Sequence, residues 1–347
     1  MASSNQLHVV AIGGGTGLST LLRGLKRYVA TPQGTQADPQ YKHLPCLIRD
    51  LAAIVTVTDD GGSSGRLRED LHLPPPGDLR NCLVALSEDE HLLSQLFQYR
   101  FSTGDLEGHS FGNLFLAALT GITGDFAAAV QTSSQILATR GRIYPSTTAN
   151  ATLAARMDDG SIVHGETSIT ASKKSIAELM LSPTDAQPLP ETLEAIANAD
   201  LITLGPGSLY TSLITNLLVR GIPEALAASS ATRVYICNLM TQANESLGLT
   251  ASQHIEKILQ HCGVTDAPIF DYALINTAPI SPTLLEQYAR EGQLPIEPDL
   301  DRVRSLGVEP ITGNFVHEGE VLRHSFDHLA ETVLNLALTR TPTTLSS

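Results

Sequence analysis

The sequence lacks several features that mark whole classes of protein. It contains no tryptophan, and aromatic residues make up only 5% of its 347 residues. Basic residues are few, because 22 lysines and arginines stand against 36 aspartates and glutamates, for a formal net charge of −14. This deficit argues against a nucleic-acid partner or an anionic membrane surface, since both need a basic face. It leaves room for an anionic small molecule, which backbone amides and a few arginines can bind.

Cysteine is also scarce, and the chain has no long unbroken apolar segment. Residues 1–7 lack the basic and apolar parts of a signal peptide. The charge-free run over residues 201–219 is interrupted by glycine, proline and hydroxyl groups, so we expect no membrane span and a cytoplasmic protein. Four well-separated cysteines without a C-x-x-C pair predict buried, reduced thiols rather than a zinc site: Cys46, Cys82, Cys237 and Cys262.

A short apolar run, a glycine-rich turn and a helical pattern follow one another twice. Residues 9–12 lead into the turn at 13–17, and residues 201–204 lead into the turn at 205–208. Further apolar runs at 53–58, 233–238 and 272–276 are typical of parallel strands buried on both faces. The pattern predicts a doubly wound, mostly parallel, Rossmann-like α/β sheet.

The chain is expected to form a single large α/β domain over residues 1–340, followed by a frayed tail at 341–347. Alternating runs on either side of Asp158-Asp159-Gly160 predict a small antiparallel β-hairpin insertion at about 150–172. The proline- and glutamine-containing segment 31–49 is predicted to be a surface loop. Asp78 and Asp125 stand where helix N-caps belong.

The two glycine-rich turns are candidate phosphate cradles, because doubly wound sheets bind ligands at the carboxyl ends of their strands. Their spacing matches neither G-x-G-x-x-G nor a P-loop, which weakens an NAD or P-loop NTPase assignment. A purely structural strand-to-helix turn remains open for each. The candidate ligand-binding residues are Gly13, Gly14, Gly15, Thr16 and Gly17 in the first turn and Gly205, Pro206, Gly207 and Ser208 in the second.

Two adjacent carboxylates follow the predicted strand at 53–58. Asp59 and Asp60 could bind Mg²⁺, accept a ribose hydroxyl or act as a base, although an exposed turn is the alternative. The next residues, Gly61, Gly62 and Ser63, offer amide donors. After them, either Arg66 or Arg68 could hold a phosphate in a two-pronged hydrogen bond.

Two further motifs place polar groups at predicted helix starts. These groups could bind a ligand, or they could only stabilise the start of the helix. Pro-Gly-Asp-Leu-Arg-Asn presents Asp78, Arg80 and Asn81. Gly-His-Ser-Phe-Gly-Asn presents His109 and Asn113 and also matches the G-x-S-x-G nucleophile elbow of serine hydrolases. An elbow needs a buried strand directly before it, and the polar residues 102–107 argue against one.

Taken in order, these five motifs resemble the YvcK proteins, often labelled gluconeogenesis factors, which are relatives of the CofD 2-phospho-L-lactate transferases. The resemblance extends over about residues 7–335, and the loop at 31–49 is longer than expected for the family. It implies a three-layer, CofD-like fold and a cytoplasmic protein that binds a nucleotide sugar such as UDP-N-acetylglucosamine. It also implies a role in cell shape and envelope-precursor supply during growth on gluconeogenic carbon.

Two functions stay open at this point. The first is a regulatory nucleotide-sugar binding protein, for which the sequence assigns no definite cofactor. We favour it because residues 63–68 and 97–101 resemble YvcK more than CofD. The second is a Mg²⁺-dependent transferase that moves a phospho-lactyl-type group from a nucleotide diphosphate donor to an acceptor hydroxyl. In that case Asp59 and Asp60 would be its metal ligands or its base. A homo-oligomer is also open, because the apolar stripe at Leu329, Val333 and Leu336 fits a core or a dimer surface equally well.

Overall fold

The computed structural model describes residues 6–30, 46–88, 92–243, 245–264 and 269–339. The strands in these ranges are β1 (Leu7–Gly13), β2 (Ile48–Val55), β3 (Arg142–Pro145), β4 (Thr152–Met157), β5 (Ile162–His164), β6 (Ile176–Ser182), β7 (Leu201–Leu204), β8 (Thr232–Ile236), β9 (Tyr272–Asn276), β10 (Glu309–Gly313), β11 (Val316–Glu318) and β12 (Leu322–His324). The helices are α1 (Gly15–Leu25), α2 (Gly62–Leu71), α3 (Gly77–Leu86), α4 (Leu92–Gln98), α5 (Phe111–Thr123), α6 (Phe126–Ile136), α7 (Glu166–Ala171), α8 (Pro190–Ala197), α9 (Thr215–Leu217), α10 (Ile222–Ala228), α11 (Ala251–Cys262), α12 (Pro282–Ala289), α13 (Leu300–Ser305) and α14 (Phe326–Thr339).

A seven-stranded parallel sheet forms the centre of the fold, with the order β10-β9-β8-β7-β1-β2-β3. In the middle of it, Ala11 of β1 lies between Ala53 of β2 and Thr203 of β7. The chain winds outward from β1 through β2 to β3, and then returns to place β7 on the other side of β1. The order therefore reverses between β1 and β7, which is the switch point where doubly wound sheets bind ligands. The predicted α/β fold class is confirmed.

Helices and the small insertion cover both faces of this sheet, and alternate strand residues separate the two cores. Val9 and Ala11 pack on the side that holds α1, α3 and α14, whereas Val10 and Ile12 pack on the side of the insertion and α11. In α14, Leu329 and Val333 are fully buried in the first of these cores. The apolar stripe of this helix is thus core within the monomer.

The antiparallel insertion is larger than the hairpin expected at about 150–172. It is a three-stranded sheet with the order β5-β4-β6, and it reaches Ser182. Asp158-Asp159-Gly160 makes the turn between β4 and β5, as predicted. The run at 161–170 was expected to continue as a strand, but α7 replaces most of it. Gly165 has φ +86°, and the Asp60 carboxylate accepts the amide of Thr167, so the chain turns into a helix there.

Three other expectations have mixed outcomes. The N-cap at Asp125 is confirmed by the amide of Ala128, which donates to its carboxylate at 2.7 Å. The N-cap at Asp78 is wrong, because α3 begins one residue earlier, after Pro76. The cysteines are free thiols, but Cys46 is exposed rather than buried. The predicted tail and most of the predicted loop at 31–49 lie outside the described residues.

Within the described ranges, no single helix is long and apolar enough to cross a membrane. The bent pair of α5 and α6, at 119° to each other, meets the length and composition criteria only when the two helices are taken together.

Candidate functional site

The two predicted glycine-rich turns meet at the switch point of the sheet. A Cβ atom on Gly17 would lie 2.3 Å from the carbonyl oxygen of Pro206, so only glycine lets the loops approach this closely. The buried amide of Asn216 fastens them, because its Nδ2 donates to the carbonyl of Gly13 at 3.1 Å and to that of Ser212 at 2.7 Å. The loops after β1 and β7 therefore form one rigid wall.

A cavity of about 230 Å³ opens beside this wall. At its base lies the first turn of α1, whose leading amides have no acceptor within the helix and favour an anion. The lining residues are Gly14, Gly15, Thr16, Gly17 and Thr20 from the first loop and helix; Pro206, Gly207, Ser208 and Ser212 from the second loop; Asn238, Leu239, Met240 and Gln242 after β8; and Tyr288, Gln293, Leu322, Arg323 and His324 on the far side.

The segment after β8 supplies polar groups that the sequence did not single out. Gln242 donates from Nε2 to the hydroxyl of Ser208 at 2.9 Å, and its buried Oε1 has no partner among the described residues. Asn238 accepts the amide of Gly207 at 3.4 Å. The only available signal was that Asn238 ends the predicted strand at 233–238 and Gln242 follows it.

The sequence patterns did not indicate the far wall of the cavity either, because Tyr288, Arg323 and His324 lie in segments without a motif. His324 is neutral near physiological pH, since burial lowers its pKa to about 4. Its Nε2 donates to the carbonyl of Cys237 at 3.1 Å. Arg323 is exposed and is the cationic side chain of the cavity.

Carboxylates lie on the other side of the first loop. Asp78 reaches back from α3 and accepts the amide of Gly15. Burial, followed by the charge of Asp59, raises the pKa of Asp78 to about 7. Glu166 of the insertion faces the same carboxylates and accepts a hydrogen bond from Thr58 at 3.4 Å, and burial raises its pKa well above the usual range. Carboxyl groups are therefore crowded beside the glycine-rich loop, and Asp78 and Glu166 keep their protons to a higher pH than usual. No sequence signal marked Glu166.

The adjacent carboxylates of Asp59 and Asp60 point to different partners. Asp59 Oδ1 accepts the amide of Gly61 at 2.9 Å. Asp60 Oδ1 accepts both the amide of Thr167, at 2.8 Å, and its hydroxyl, at 2.6 Å, which ties α7 to the loop after β2. The described residues contain no group of three or more histidine, cysteine, aspartate or glutamate side chains that could hold a metal ion. Asp59 and Asp60 are thus engaged by hydrogen bonds from Gly61 and Thr167, and in the described part of the chain they do not belong to a metal cage made by protein alone.

The remaining predicted residues gather around the start of α5. Ser63 contacts His109 Nδ1 at 3.1 Å through its hydroxyl, and Asn113 Nδ2 donates to the same hydroxyl at 3.2 Å. Arg80 donates to the hydroxyl of Ser110 at 2.7 Å and to Oδ1 of Asn81 at 2.9 Å.

Ser110 cannot be a nucleophile at an elbow. It is fully buried, its oxygen caps α5 by accepting the amide of Asn113, and irregular chain rather than a strand precedes it. This geometry agrees with the rejection of a serine hydrolase.

The predicted site residues therefore fall into two groups. Most of the two glycine-rich loops line the cavity, with Gly13 and Gly205 at the strand ends behind them. By contrast, Arg66, Arg80, Asn81, His109 and Asn113 form a separate polar cluster, and Asp59 and Asp78 lie towards both groups.

Replacing Asp78 by asparagine should change how stability depends on pH. Its folded pKa of about 7 lies above the ordinary 3.8, so the folded protein binds more protons than the unfolded chain between these values. Stability contributed by this group is complete below pH 4 and falls as the pH rises to about 7, by up to about 1.4 kcal/mol per unit. Asp78→Asn removes this fall, and urea unfolding at pH 5 and pH 8 measures it. Exposed Asp301→Asn is the control, and an equal pH 5 to pH 8 difference in Asp78→Asn and the unaltered protein would contradict the prediction.

Comparison with known proteins gives consistent results. The family model described as 2-phospho-L-lactate transferase CofD matches residues 9–316. A gluconeogenesis factor of Halalkalibacterium halodurans is 49% identical over 94% of this chain and 95% of its own length. One from Bacillus subtilis is 44% identical over 94% of this chain and 97% of its own.

A solved structure agrees with these relatives. The crystal structure of a UPF0052 family member from Bacillus halodurans has a TM-score of 0.87 and 49% identity, and the match covers 95% of this chain and all of that one. The family match over residues 9–316 and the nearly full-length similarity to these relatives place the protein plainly: the chain belongs to the CofD family and groups with its gluconeogenesis factors, the YvcK proteins.

Proposed function

We propose that the protein is a cytoplasmic binding protein for a nucleotide sugar of the UDP-N-acetylglucosamine type. The observation that carries the proposal is that both glycine-rich loops line a single cavity at the point where strand order reverses. Such a position suits a diphosphate, because helix amides and glycine backbone can approach its oxygens closely. The role in cell shape and envelope-precursor supply during gluconeogenic growth belongs to the same proposal.

The other walls of the cavity support a ligand larger than phosphate alone. Asn238 and Gln242 offer amide groups for a base or a sugar, and the buried free oxygen of Gln242 is suited to accept a ligand hydroxyl or N–H. Tyr288 offers a ring, and Arg323 a guanidinium that can pair with a phosphate. A diphosphate with its base and its sugar would therefore contact all three sides of the cavity, which are the glycine-rich loops, the segment after β8 and the far wall.

The second candidate is a Mg²⁺-dependent transferase, favoured by the carboxylates beside the first loop. Bound Mg²⁺ would neutralise phosphate charge during group transfer. Asp59 is placed to hold it together with the phosphates, and Asp78 and Glu166 are placed to hold or accept a proton. Asp60 is engaged with Thr167 and would contribute by fixing the loop.

Calorimetric titration with UDP-N-acetylglucosamine and with GTP, each with and without Mg²⁺, tests the choice. We expect saturable, UDP-selective binding without metal. Guanine-selective binding that requires Mg²⁺ would favour the transferase, and no binding of either nucleotide would reject both candidates.

A variant of Asp59 separates a pure binding role from catalysis. Asp59→Asn should leave nucleotide-sugar affinity unchanged if the protein only binds. Loss of a measurable group transfer in this variant, with nucleotide affinity retained, would contradict the pure binding role.

A further inference from the structure

Three arginines converge on the short loop before α5. Arg66 Nη2 donates to the carbonyl of Glu107 at 2.8 Å, and Arg100 Nη1 donates to the carbonyl of Gly108 at 2.5 Å. Arg80 Nη1 donates to the hydroxyl of Ser110 at 2.7 Å. Because these three contacts fall within the four-residue stretch 107–110, the three guanidinium groups are neighbours.

This cluster is unusual in a protein with a net charge of −14. Several other arginines pair with carboxylates, as Arg142 does with Asp50 and Arg233 with Asp271. Within the described ranges, none of the three converging arginines forms an ion pair with a carboxylate. Burial and then the charge of Arg100 lower the pKa of Arg80, and the effect of Arg100 is larger than that of Asp78 or of Asp59, which both act in the opposite direction.

Unused hydrogen-bonding groups lie in the same place. The Nε of Arg80 is buried and has no acceptor among the described residues. Arg66 and Arg100 are exposed, and each uses one N–H on a backbone carbonyl, which leaves further donors. Gly108 has φ +79°, and a Cβ there would lie 2.8 Å from Arg66 Nη2, so glycine lets this guanidinium lie flat against the backbone.

Histidine 109 completes the cluster. Its ring is held by Ser63 and is largely buried. Burial, then Arg66, lower its pKa, and Arg100 acts in the same direction, whereas Asp70 opposes them. An anion bound between the arginines would oppose this shift and raise the pKa of His109.

We propose that Arg66, Arg80, Arg100 and His109 form a second anion-binding subsite that takes the phosphate or carboxylate group of a small molecule. None of these residues lines the cavity at the switch point, so the subsite is separate from the nucleotide-sugar site and does not rest on it. Arginine forks match the planar carboxylate and the phosphate equally well, which is why the two chemistries are tested side by side.

The experiment uses the full chain with ¹³C-labelled histidine and follows the ring of His109, assigned with His109→Gln. Inorganic phosphate and succinate are titrated separately. We expect saturable binding of at least one of them and a rise in the pKa of His109, because the bound anion favours the imidazolium. The tighter of the two identifies the chemical group. No change in His109 with either anion would overturn the proposal.

Variants separate this subsite from the cavity. The anion under test is the one that raises the pKa of His109. Arg100→Gln and Arg66→Gln should each lower the affinity for this anion by roughly tenfold, as expected for loss of a charge-assisted hydrogen bond. Exposed Arg220→Gln is the matched control and should bind like the unaltered protein. Arg323→Gln, in the cavity, should also leave the His109 response intact. Equal affinity in Arg100→Gln and Arg220→Gln, or loss of the response in Arg323→Gln, would show that the anion binds elsewhere.

Discussion

Replacing Gly17 by alanine is expected to weaken ligand binding in the cavity at the switch point more than any other change considered. The new Cβ would lie 2.3 Å from the carbonyl oxygen of Pro206 and 2.6 Å from its carbon. These are backbone atoms, so the loops after β1 and β7 would have to separate. We expect affinity for the nucleotide sugar to fall on the order of 100-fold and stability to fall by about 2 kcal/mol. Calorimetry measures the first and urea unfolding the second.

Gly121→Ala is the matched control, because it makes the same chemical change on α5 where no atom lies within 4 Å. Its affinity should be unchanged, and its stability should rise by about 0.5–1 kcal/mol, since alanine favours a helix over glycine. If Gly17→Ala bound as tightly as Gly121→Ala, the two loops would not form the binding wall.

Replacing Arg323 by glutamine is expected to have the second largest effect. Arg323 lines the cavity opposite the glycine-rich loops and forms no ion pair within the described residues. A charge-assisted hydrogen bond to a phosphate is worth about 1.5–3 kcal/mol, so affinity should fall by roughly ten- to hundredfold. Because the side chain is exposed, the free energy of unfolding should stay nearly the same.

The control for this variant is Arg290→Gln, which removes the same charge from an exposed position at the end of α12. It lies two residues from Tyr288 but outside the cavity lining. Titrating the ligand into both variants at two salt concentrations separates a direct contact from a general effect of charge. A general effect would change the affinity of both variants alike and would be screened equally by salt in both, whereas a direct contact would be lost only in Arg323→Gln. A matching loss of affinity in the two variants would refute a specific contact at Arg323.

Asp78 lies between the cavity at the switch point and the arginine cluster. Asp78 connects the two, because it accepts the amide of Gly15 at the cavity and also lies near Arg80 of the arginine cluster. A ligand in the cavity and an anion at the arginine cluster would both alter its surroundings. The pH dependence predicted for Asp78 is therefore a sensitive reporter of occupancy at either place.

Local sequence patterns were sufficient for five of the seven strands of the central sheet, for the class of fold and for the glycine-rich segments, but they did not indicate β3 or β10. The apolar runs at residues 9–12 and 201–204 are short and lead into glycine, and parallel strands buried on both faces need that composition. The predicted turn at 13–17 is shorter in the structure, because β1 ends at Gly13 and Gly17 already belongs to the first turn of α1. Asp125 could be assigned as a cap because capping involves only atoms a few residues apart.

Tertiary structure alone decided which of these pieces share a site. Asp78 resembles an N-cap in sequence, but it turns to Gly15, which is 63 positions away along the chain. Asp59 and Asp60 are adjacent in sequence yet contact Gly61 and Thr167. Tyr288, Arg323 and Glu166 carry no motif and reach the site only through the winding of the sheet and its insertion. Secondary structure follows from interactions between near neighbours, whereas a binding site joins residues distant in sequence that only the completed packing brings together.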